Sequence, residues 1–204
     1  MIVIIDYGLG NINAIFTVYK NLNIPVKVAS HSSDLKNATK LILPGVGAFD
    51  YAMDKLQKSG MREIIDKLVQ NDKKDVLGIC VGMQMLTSSS DEGKLPGLGW
   101  LDAKVDKFNL NVNNQILPIP HMGWNNITQT KENQLLKGLD NNSYFYFLHS
   151  YYCVSNDNTN IISTTNYGND FVSILNFENI YGVQFHPEKS HQSGIQLLKN
   201  FYEL

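Results

Sequence analysis

The sequence predicts an α/β fold in which a parallel β-sheet is flanked by helices. Short apolar runs alternate with amphipathic helical patterns through the first half of the chain, an order that is typical of such sheets. The 204 residues include 43% hydrophobic residues, and no shift in composition divides them into halves. We therefore expect a single domain over residues 1–204, large enough to fold without disulfides or a structural metal.

The first half is predicted to contain four strands and two amphipathic helices. Short apolar runs predict the strands, which are residues 2–5, 26–29, 41–43 and 76–79. Apolar residues at helical spacing predict one helix between Ile12 and Leu22 and another between Met61 and Val69. A further short helix is expected at 83–86, directly after the fourth strand.

The second half is predicted to be rich in β-strands separated by Asn, Asp and Gly turns. The predicted strands are residues 144–154, 161–165, 171–177 and 180–185. The last helix is predicted at 194–202. Two Asn-rich stretches, at 109–114 and 156–160, are predicted to be surface loops.

Composition excludes several classes of partner. The formal net charge is −2 and the lysines form no basic stripe, so neither nucleic acid nor an anionic membrane is an expected partner. No apolar run approaches the length that spans a bilayer, and the N-terminus lacks the features of a signal peptide. The two cysteines, Cys80 and Cys153, are too few for a disulfide framework and are expected to be free thiols. We therefore expect a cytoplasmic protein.

Cys80 lies in the sequence Gly-Ile-Cys-Val-Gly at 78–82, between a predicted strand and a predicted helix. This order is typical of a nucleophile elbow, because glycines relieve crowding at a sharp turn and a helix N-terminus favours the thiolate. The amide that follows can face a developing oxyanion. On this pattern alone, Cys80 could equally be a small buried hydrophobic residue at the end of a strand.

A thiol nucleophile needs a proton acceptor that later protonates a leaving group, and histidine suits that role near neutral pH. His186 follows a predicted strand and precedes Pro187 and Glu188, so a carboxylate is available to fix its tautomer. The alternative is an exposed strand end. His121 and His149 lie beside aromatic residues and are predicted to shape a pocket. No spacing of His or Cys matches a metal site, and we predict no metal.

Two glycine-rich segments follow predicted strands. The sequence Leu-Pro-Gly-Val-Gly at 43–47 allows a backbone flip that would aim an amide at an oxyanion, although a tight turn into a helix is an equal alternative. The sequence Asp-Tyr-Gly-Leu-Gly-Asn at 6–11 resembles a phosphate loop but matches neither the dinucleotide fingerprint nor the Walker pattern. We predict no nucleotide site and no cofactor.

These segments together resemble the class I glutamine amidotransferases, and most closely the glutaminase subunits of imidazole glycerol phosphate synthase. The matching segments run through nearly the whole chain and are Asp-Tyr-Gly-Leu-Gly-Asn at 6–11, Leu-Pro-Gly-Val-Gly-Ala-Phe at 43–49, Gly-Ile-Cys-Val-Gly-Met-Gln at 78–84, Pro-His-Met-Gly-Trp-Asn at 120–125, His-Ser-Tyr-Tyr at 149–152 and Gly-Val-Gln-Phe-His-Pro-Glu-Lys-Ser at 182–190. The resemblance implies a flavodoxin-like three-layer α/β domain with a mixed central sheet. It also implies hydrolysis of L-glutamine by a triad in which Cys80 forms a thioester, His186 transfers protons and Glu188 orients His186.

The resemblance further implies where the oxyanion and the substrate bind. The oxyanion hole would combine the amide of Val81 with one presented by Val46 and Gly47 after a conformational change, and we expect the hole to be unformed at rest. The positions that match substrate-binding residues of the family are Gly45, Gln84, Ser150 and Tyr151.

A partner protein is also implied by the resemblance. It is a (β/α)8 barrel synthase, or cyclase, subunit that receives ammonia through a protected path and forms imidazole glycerol phosphate and an aminoimidazole carboxamide ribonucleotide in histidine biosynthesis. Ligand binding to that subunit would stimulate the glutaminase. The positions that match the family's interface are Asn11, Trp124, Tyr146 and Lys189.

Three positions depart from the family pattern without touching the triad. Val81 stands where leucine is usual, Asp50 where glycine is common, and Ala14 where some relatives have a polar contact to the partner. Three alternatives stay open. One is a paralogous glutaminase that supplies ammonia for amidation of a surface sugar, and another is a subunit that binds its partner without hydrolysing glutamine. The third is a cysteine hydrolase or a small-molecule binder on the same fold.

Overall fold

A large mixed β-sheet forms the centre of the molecule. The computed structural model describes residues 1–109, 111–112 and 115–204. Within them the strands are β1 Ile2–Ile5, β2 Val26–Ala29, β3 Lys40–Gly45, β4 Asp75–Cys80, β5 Ala103–Lys107, β6 Asn111–Val112, β7 Gln115–Ile116, β8 His121–Asn126, β9 Thr128–Gln129, β10 Tyr144–His149, β11 Tyr151–Ser155, β12 Ile161–Tyr167, β13 Asn169–Phe177 and β14 Ile180–Val183. The helices are α1 Ile12–Asn21, α2 Phe49–Lys58, α3 Arg62–Asp66, α4 Val81–Met85 and α5 His191–Glu203.

The central sheet has eight strands in the order β2-β1-β3-β4-β14-β13-β12-β9. The strands from β2 to β14 in this order are parallel to one another. The pairings from β14 to β9 are antiparallel. The mixed sheet implied by the family resemblance is therefore confirmed, and the parallel sheet predicted from the alternation of strands and helices is confirmed for five of its strands.

The parallel strands are continuous apolar runs because both of their faces are covered. All four residues of β1 are buried, and so are residues 41–45 of β3 and 76–80 of β4. Helices supply part of this cover. The helix α4 packs on β3, β4 and β14, and α1 packs on α5, where Oη of Tyr19 donates to the carbonyl oxygen of Leu198 at 3.0 Å.

A second pair of strands stands beside the carboxyl ends of the parallel strands. β8 and β10 form an antiparallel two-stranded ribbon, which we call the β8–β10 ribbon. Side chains alternate along β10, so that Phe145, Phe147 and His149 are buried whereas Tyr144 and Leu148 are exposed. One face of the ribbon thus packs on the core, and the other face is open to solvent.

The structure differs from the sequence predictions where strands are polar, and where contacts between distant parts of the chain determine the secondary structure. The strand predicted at 144–154 is in fact two strands, β10 and β11, which separate at Ser150 and pair with different partners. The predictions miss β5, β8 and β9, because short strands such as His-Met-Gly-Trp-Asn-Asn in β8 contain no apolar run. They also miss α2, whose buried residues nevertheless recur at helical spacing.

Smaller differences concern the ends of elements. The helix predicted between Met61 and Val69 consists of α3 and a π-helical turn at Lys67–Asn71. The terminal helix begins at His191 instead of residue 194. The predicted loop at 156–160 contains a 3₁₀ turn at Asn158–Asn160. The predicted loop at 109–114 lies partly outside the described residues, and its described part includes β6, which pairs with β7.

Across the described part of the chain, every helix is too short or too polar to cross a lipid bilayer.

The helix α4 makes a close contact with the backbone of the central sheet. A Cβ added to Gly82 would overlap the carbonyl oxygen of Leu43 on β3. A Cβ added to Gly182 on β14 would lie 2.6 Å from Cγ of Met83, which belongs to a flexible side chain. The backbone cannot yield without shifting the strand, whereas a side chain can change its rotamer.

We predict that Gly82→Ala destabilises the protein much more than Gly182→Ala. Overpacking against backbone should cost about 3 kcal/mol of the free energy of unfolding, and overpacking against a flexible side chain about 1 kcal/mol. Urea denaturation of the two variants and the parent measures the difference. Equal losses in the two variants would contradict the close approach of α4 to β3.

Candidate active site

Cys80 lies at the junction of β4 and α4, at the carboxyl end of the parallel strands. Its backbone has φ 55° and ψ −114°, a conformation that residues other than glycine rarely adopt. Glycine at position 78 makes the turn possible, since a Cβ there would lie 2.7 Å from the carbonyl oxygen of Gly82. The strained strand–turn–helix geometry predicted from Gly-Ile-Cys-Val-Gly is therefore present.

His186 and Glu188 follow the end of β14, the strand that neighbours β4. The amide of His186 donates to the carbonyl oxygen of Tyr146 at 2.8 Å, which holds the histidine against β10. Its Nδ1 lies 2.8 Å from Oε1 of Glu188, and both side chains are almost fully buried. His186 lines the same cleft as Cys80, and the charges of the two side chains interact. With Nδ1 bonded to the carboxylate, Nε2 is the ring nitrogen available for proton transfer.

The charges in this cluster favour a protonated imidazole. Burial lowers the pKa of His186, but its interactions with Cys80 and Glu188, which include the hydrogen bond to Glu188, outweigh burial and raise the pKa to about 10. Burial raises the pKa of Glu188, but the bond and the charge of His186, together with a bond from Asn11, hold it below its ordinary value. When a proton passes from the sulfur of Cys80 to the imidazole of His186, the carboxylate of Glu188 therefore stabilises the positive charge that forms.

Asn11 joins the cluster, although the family resemblance places it at a partner interface. Its Nδ2 donates to Oε1 of Glu188 at 2.6 Å, so this oxygen accepts hydrogen bonds from both Asn11 and His186. Asn11 and Glu188 are 177 positions apart in the chain. Because α1 begins at the next residue, its N-terminus is tied to the carboxylate that orients the imidazole.

A cleft of about 310 Å³ opens beside Cys80. Its lining includes most of the residues that the family resemblance assigns to the oxyanion and the substrate, namely Val46, Gly47, Val81, Gln84, Ser150 and Tyr151. Gly45 lies directly before this lining, where an added Cβ would overlap the amide nitrogen of Gly82. Glu92 also lines the cleft, and the sequence predictions miss it because no local pattern distinguishes it from other surface acids.

Gln84 and the 150–151 segment are held by hydrogen bonds within the protein. Nε2 of Gln84 donates to the carbonyl oxygen of Tyr151 at 3.1 Å, and Nδ1 of His149 lies 2.8 Å from the same oxygen. The carbonyl oxygen of Ser150 accepts from the amide of Phe108 at 3.2 Å. The carbonyl groups of the predicted substrate segment therefore accept hydrogen bonds within the protein, which holds the segment in place beside the cleft.

His121 and His149 form a buried pair behind the wall of the cleft. Nδ1 of His121 lies 3.1 Å from Nε2 of His149. Burial lowers the pKa of His149 to about 3 and that of His121 to about 4, so both rings are neutral near pH 7, unlike His186. His149 lines the cleft, in keeping with the predicted shaping role. Over residues 1–109, 111–112 and 115–204, no group of three His, Cys, Asp or Glu is placed to hold a metal ion.

The glycine segment that borders the cleft is fixed at both ends. Oη of Tyr7 donates to the carbonyl oxygen of Pro44 at 2.7 Å, and the amide of Phe49 donates to Oε2 of Glu92 at 2.8 Å. Between these anchors, Gly47 has φ 86°, and a Cβ added to it would contact nothing within 4 Å. The conformational freedom of the segment is thus concentrated near Gly47.

Asp50 stands where the resembled family commonly has glycine, and it makes hydrogen bonds that glycine cannot make. Its carboxylate accepts from the amide of Lys94 at 2.9 and 3.0 Å and from that of Leu95 at 3.0 Å. A Cβ added to Gly93 would overlap this carboxylate. Because the same loop carries Glu92, Asp50 fixes the position of an acid that lines the cleft.

The other three residues predicted at a partner interface lie close together beside the exposed face of the β8–β10 ribbon. Trp124 is 47% exposed and pairs across the ribbon with Tyr146. The ring of Trp124 stacks on His191 with centroids 4.9 Å apart, and Nζ of Lys189 lies 5.6 Å from the ring centroid of Tyr146. The exposed hydrophobic residues of the ribbon are Met122, Trp124, Tyr144 and Leu148.

A mixed α/β sheet with a cysteine elbow beside a histidine and a glutamate is the arrangement of a class I glutamine amidotransferase domain. The family model described as glutamine amidotransferase class-I matches residues 3–204. A solved structure of a glutamine amidotransferase superposes with a TM-score of 0.73 at 18% identity, covering 98% of this chain and 97% of that chain, which is a likeness of fold.

Two curated relatives match the full length of both chains and carry the name imidazole glycerol phosphate synthase subunit HisH. The one from Bdellovibrio bacteriovorus is 53% identical, and the one from Leptospira interrogans is 48% identical, each over 204 residues and 100% of both chains. The chain therefore belongs to the class I glutamine amidotransferases and, within them, to the family of imidazole glycerol phosphate synthase subunits HisH. The family predicted from the six sequence segments is confirmed.

We predict that Glu188→Gln lowers the pKa of His186 by about one to three units, because the amide keeps the shape of the carboxylate but removes the charge that stabilises imidazolium. An NMR titration of the His186 ring signals measures the change. Glu92→Gln is the matched control, since it removes a carboxylate from the same cleft without touching the imidazole, and its effect should be smaller. Identical His186 titrations in the parent and in Glu188→Gln would contradict the ion pair.

Proposed function

We propose that the protein is a glutaminase subunit that hydrolyses L-glutamine to glutamate and ammonia and delivers the ammonia to a synthase subunit in histidine biosynthesis. The observation that carries this proposal is the cluster of Cys80, His186 and Glu188 at the end of β4, where Cys80 and His186 line one cleft and His186 is hydrogen-bonded to Glu188. The cluster supplies a nucleophile, a proton carrier and an orienting carboxylate at one point. The HisH relatives support the pathway, since their name refers to imidazole glycerol phosphate synthase.

The first half-reaction forms a thioester. The thiolate of Cys80 attacks the carboxamide carbon of glutamine, and the carbonyl oxygen takes the negative charge. His186, which holds the proton from the thiol, gives it to the nitrogen, so that the carbon–nitrogen bond breaks and ammonia leaves. Glu188 keeps the imidazole in the tautomer and orientation that this transfer needs.

The second half-reaction releases glutamate. His186 takes a proton from water as the water oxygen attacks the thioester carbon. The carbon–sulfur bond then breaks, the sulfur regains a proton from His186, and glutamate leaves with its new carboxylate. Glutamine and water are the only reactants consumed, so the proposed reaction needs no cofactor.

The cleft offers partners for the charged end of glutamine. The carboxylate of Glu92 attracts the α-ammonium group, and the loop that carries it is fixed by Asp50. We assign the α-carboxylate to the amide groups of Ser150 and Tyr151, because both residues line the cleft and an amide N–H can donate to a carboxylate. Gln84, the matching substrate-contact position of the family, lines the same cleft.

The oxyanion hole combines the amide of Val81 with an amide from Val46 or Gly47 once that segment has flipped. Support comes from the anchors at Pro44 and Phe49, which confine a change of conformation to the residues between them. Loss of one such donor typically costs about 2.7–4 kcal/mol of transition-state stabilisation. The flip would therefore switch hydrolysis on and off.

The exposed face of the β8–β10 ribbon is where we place the partner. The backbone of β10 borders the site, because the carbonyl oxygen of Leu148 lies 3.8 Å from Sγ of Cys80 and that of Tyr146 accepts from His186. Ammonia that reached water would be protonated and lost as a nucleophile, so a partner has to cover the exit. We take it to be a (β/α)8 barrel synthase subunit, as the family resemblance implies, and place both in the cytoplasm, where a free thiol persists.

Glutamate release by the purified protein tests the proposal. We expect low activity alone, strong stimulation by a co-encoded barrel synthase with its nucleotide ligand, and loss of activity in Cys80→Ala. The control is Cys153→Ala, which removes the other free thiol, buried outside the cleft, and should retain stimulation. A stimulated Cys80→Ala variant would overturn the assignment of the nucleophile.

Two other results would favour the alternative functions. Absent stimulation, with Cys80 still labelled by a glutamine-analogue affinity reagent, would mean that the chemistry is right and the partner wrong, which favours the surface-sugar paralogue. Labelling confined to Cys153 would favour a subunit that binds its partner without hydrolysing glutamine.

We predict that Trp124→Ala weakens binding of the synthase subunit by about tenfold or more, because exposed tryptophans at the centre of an interface are frequent hot spots. Calorimetric titration measures the dissociation constant. Phe177→Ala is the matched control. Phe177 is 43% exposed, but it ends β13 and pairs with Ile180 at the start of β14, the end that is farther from His186. Equal weakening by the two substitutions would argue against the β8–β10 ribbon as the docking face.

A further inference from the structure

Gln184 is a buried amide beside the reacting sulfur. It follows β14 directly and precedes His186 by two residues, and its side chain is fully enclosed. Its backbone amide donates to the carbonyl oxygen of Ser173 at 2.9 Å, which fixes it to β13. Its Nε2 lies 3.8 Å from Sγ of Cys80, within hydrogen-bond distance for sulfur. The triad chemistry described above gives this amide no task.

The orientation of the Gln184 amide follows from its neighbours. The carbonyl oxygen of Tyr151 can only accept, so Gln84 must present Nε2 to it. The second contact of the same Nε2, at 3.1 Å, is Oε1 of Gln184. With its oxygen turned toward Gln84, Gln184 has to turn its N–H groups toward Cys80.

The buried pair of His121 and His149 fixes the direction of the hydrogen bonds that run from Tyr151 through Gln84 to Gln184. Nδ1 of His149 faces the carbonyl oxygen of Tyr151 and must therefore donate to it, so Nε2 of the same neutral ring accepts from Nδ1 of His121. The carbonyl oxygen of Tyr151 then accepts from both His149 and Gln84, which occupies its two lone pairs. Rotation of the Gln84 amide would bring its oxygen against the carbonyl oxygen of Tyr151. Gln84 therefore stays the donor to Gln184.

The sulfur of Cys80 lies between one acceptor and one amide donor. The carbonyl oxygen of Leu148 and Nε2 of Gln184 are each 3.8 Å from Sγ. The carbonyl favours the thiol, because only S–H can donate to it. An amide N–H favours the thiolate, because negative sulfur is the better acceptor. Without the side-chain amide of Gln184, the contact with the carbonyl oxygen of Leu148 would favour the unreactive thiol form of Cys80 over the thiolate.

We propose that Gln184 is a further catalytic residue, whose side-chain amide donates to Sγ of Cys80 and stabilises the thiolate that attacks the substrate. Its consequence for hydrolysis rests on the proposed glutaminase function, whereas the ionisation of the thiol can be measured without glutamine. A neutral donor suits this position, because it stays a donor at every pH, whereas the proton of His186 leaves during the reaction. A stabilised thiolate is a somewhat weaker nucleophile, but this loss is smaller than the gain from the larger ionised fraction of Cys80. Attack on the substrate is therefore faster overall.

The pH dependence of sulfur reactivity reports the charges around Cys80 as well as this amide. The titratable groups that border the same cleft or interact with the charge of the sulfur are His186, His149, Glu92, Tyr151, Tyr7 and Cys153. Tyr7 and Cys153 are buried and their pKa values lie well above the ordinary range, so both stay neutral. A measured midpoint therefore belongs to the coupled Cys80 and His186 pair, and the effect of Gln184 is a shift of that midpoint.

The test is the rate of alkylation of Cys80 by iodoacetamide as a function of pH, in the absence of glutamine. Peptide mass spectrometry scores Cys80 separately from Cys153. In Gln184→Met, which keeps the length of the side chain and removes the donor, we expect the midpoint of the rate profile to rise by about one pH unit, or about tenfold in rate below the midpoint. Gln184→Glu should raise it further, because a carboxylate repels the thiolate.

The control is Asn200→Leu, which removes another buried amide that is bonded to the carbonyl groups of Leu135 and Lys137, away from the cleft. It should leave the midpoint unchanged even where thermal unfolding shows a similar loss of stability. An unchanged midpoint in either folded Gln184 variant would overturn the proposal. A shifted midpoint in a protein that hydrolyses no glutamine would support the donor role of Gln184 and count only against the glutaminase function.

Discussion

The backbone contact between α4 and the parallel strands decides where chemistry can occur in this protein. At Gly45, Gly78 and Gly82, an added Cβ would lie within 3 Å of backbone atoms of the facing element. This approach makes the chain turn within one residue between β4 and α4, and that residue is Cys80 with its positive φ. Such strain persists only where the surroundings over-determine it. The tightly packed sheet thus holds the sulfur at the opening of the cleft, and the other groups of the site are arranged around that point.

The β8–β10 ribbon joins this fixed point to the surface. Its backbone carbonyls at Tyr146 and Leu148 contact His186 and Cys80, while side chains on its outer face are exposed. Because side chains alternate along a strand, a protein that binds the outer face touches residues whose own backbone borders the site. A displacement of the ribbon by a fraction of an ångström would change both contacts together. If a synthase subunit docks on this face, as the proposed function holds, its effect on the nucleophile needs no separate relay.

The parts of the fold and site that local sequence predicts are those built from neighbours in the chain. The parallel strands follow from apolar runs, the elbow from glycines two residues to either side of Cys80, and the imidazole orientation from the spacing of His186 and Glu188. The contacts that complete the site join distant positions. Asn11 bonds to Glu188 across 177 residues, and Gln184 contacts Cys80 across 104. No short window contains both partners of such a contact, so only the folded chain reveals them.

The three histidines near the cleft demonstrate that surroundings, more than residue type, set the role. Burial acts on each of them, but only His186 has a carboxylate and a sulfur to offset it, so its pKa rises to about 10 while those of His121 and His149 fall to about 4 and about 3. The neutral pair takes up no proton near neutral pH. For that reason it keeps its donors pointing in one direction while His186 gains and loses its proton. A site that moves protons at one histidine thus depends on two others that do not titrate, because they hold the amides around Cys80 still.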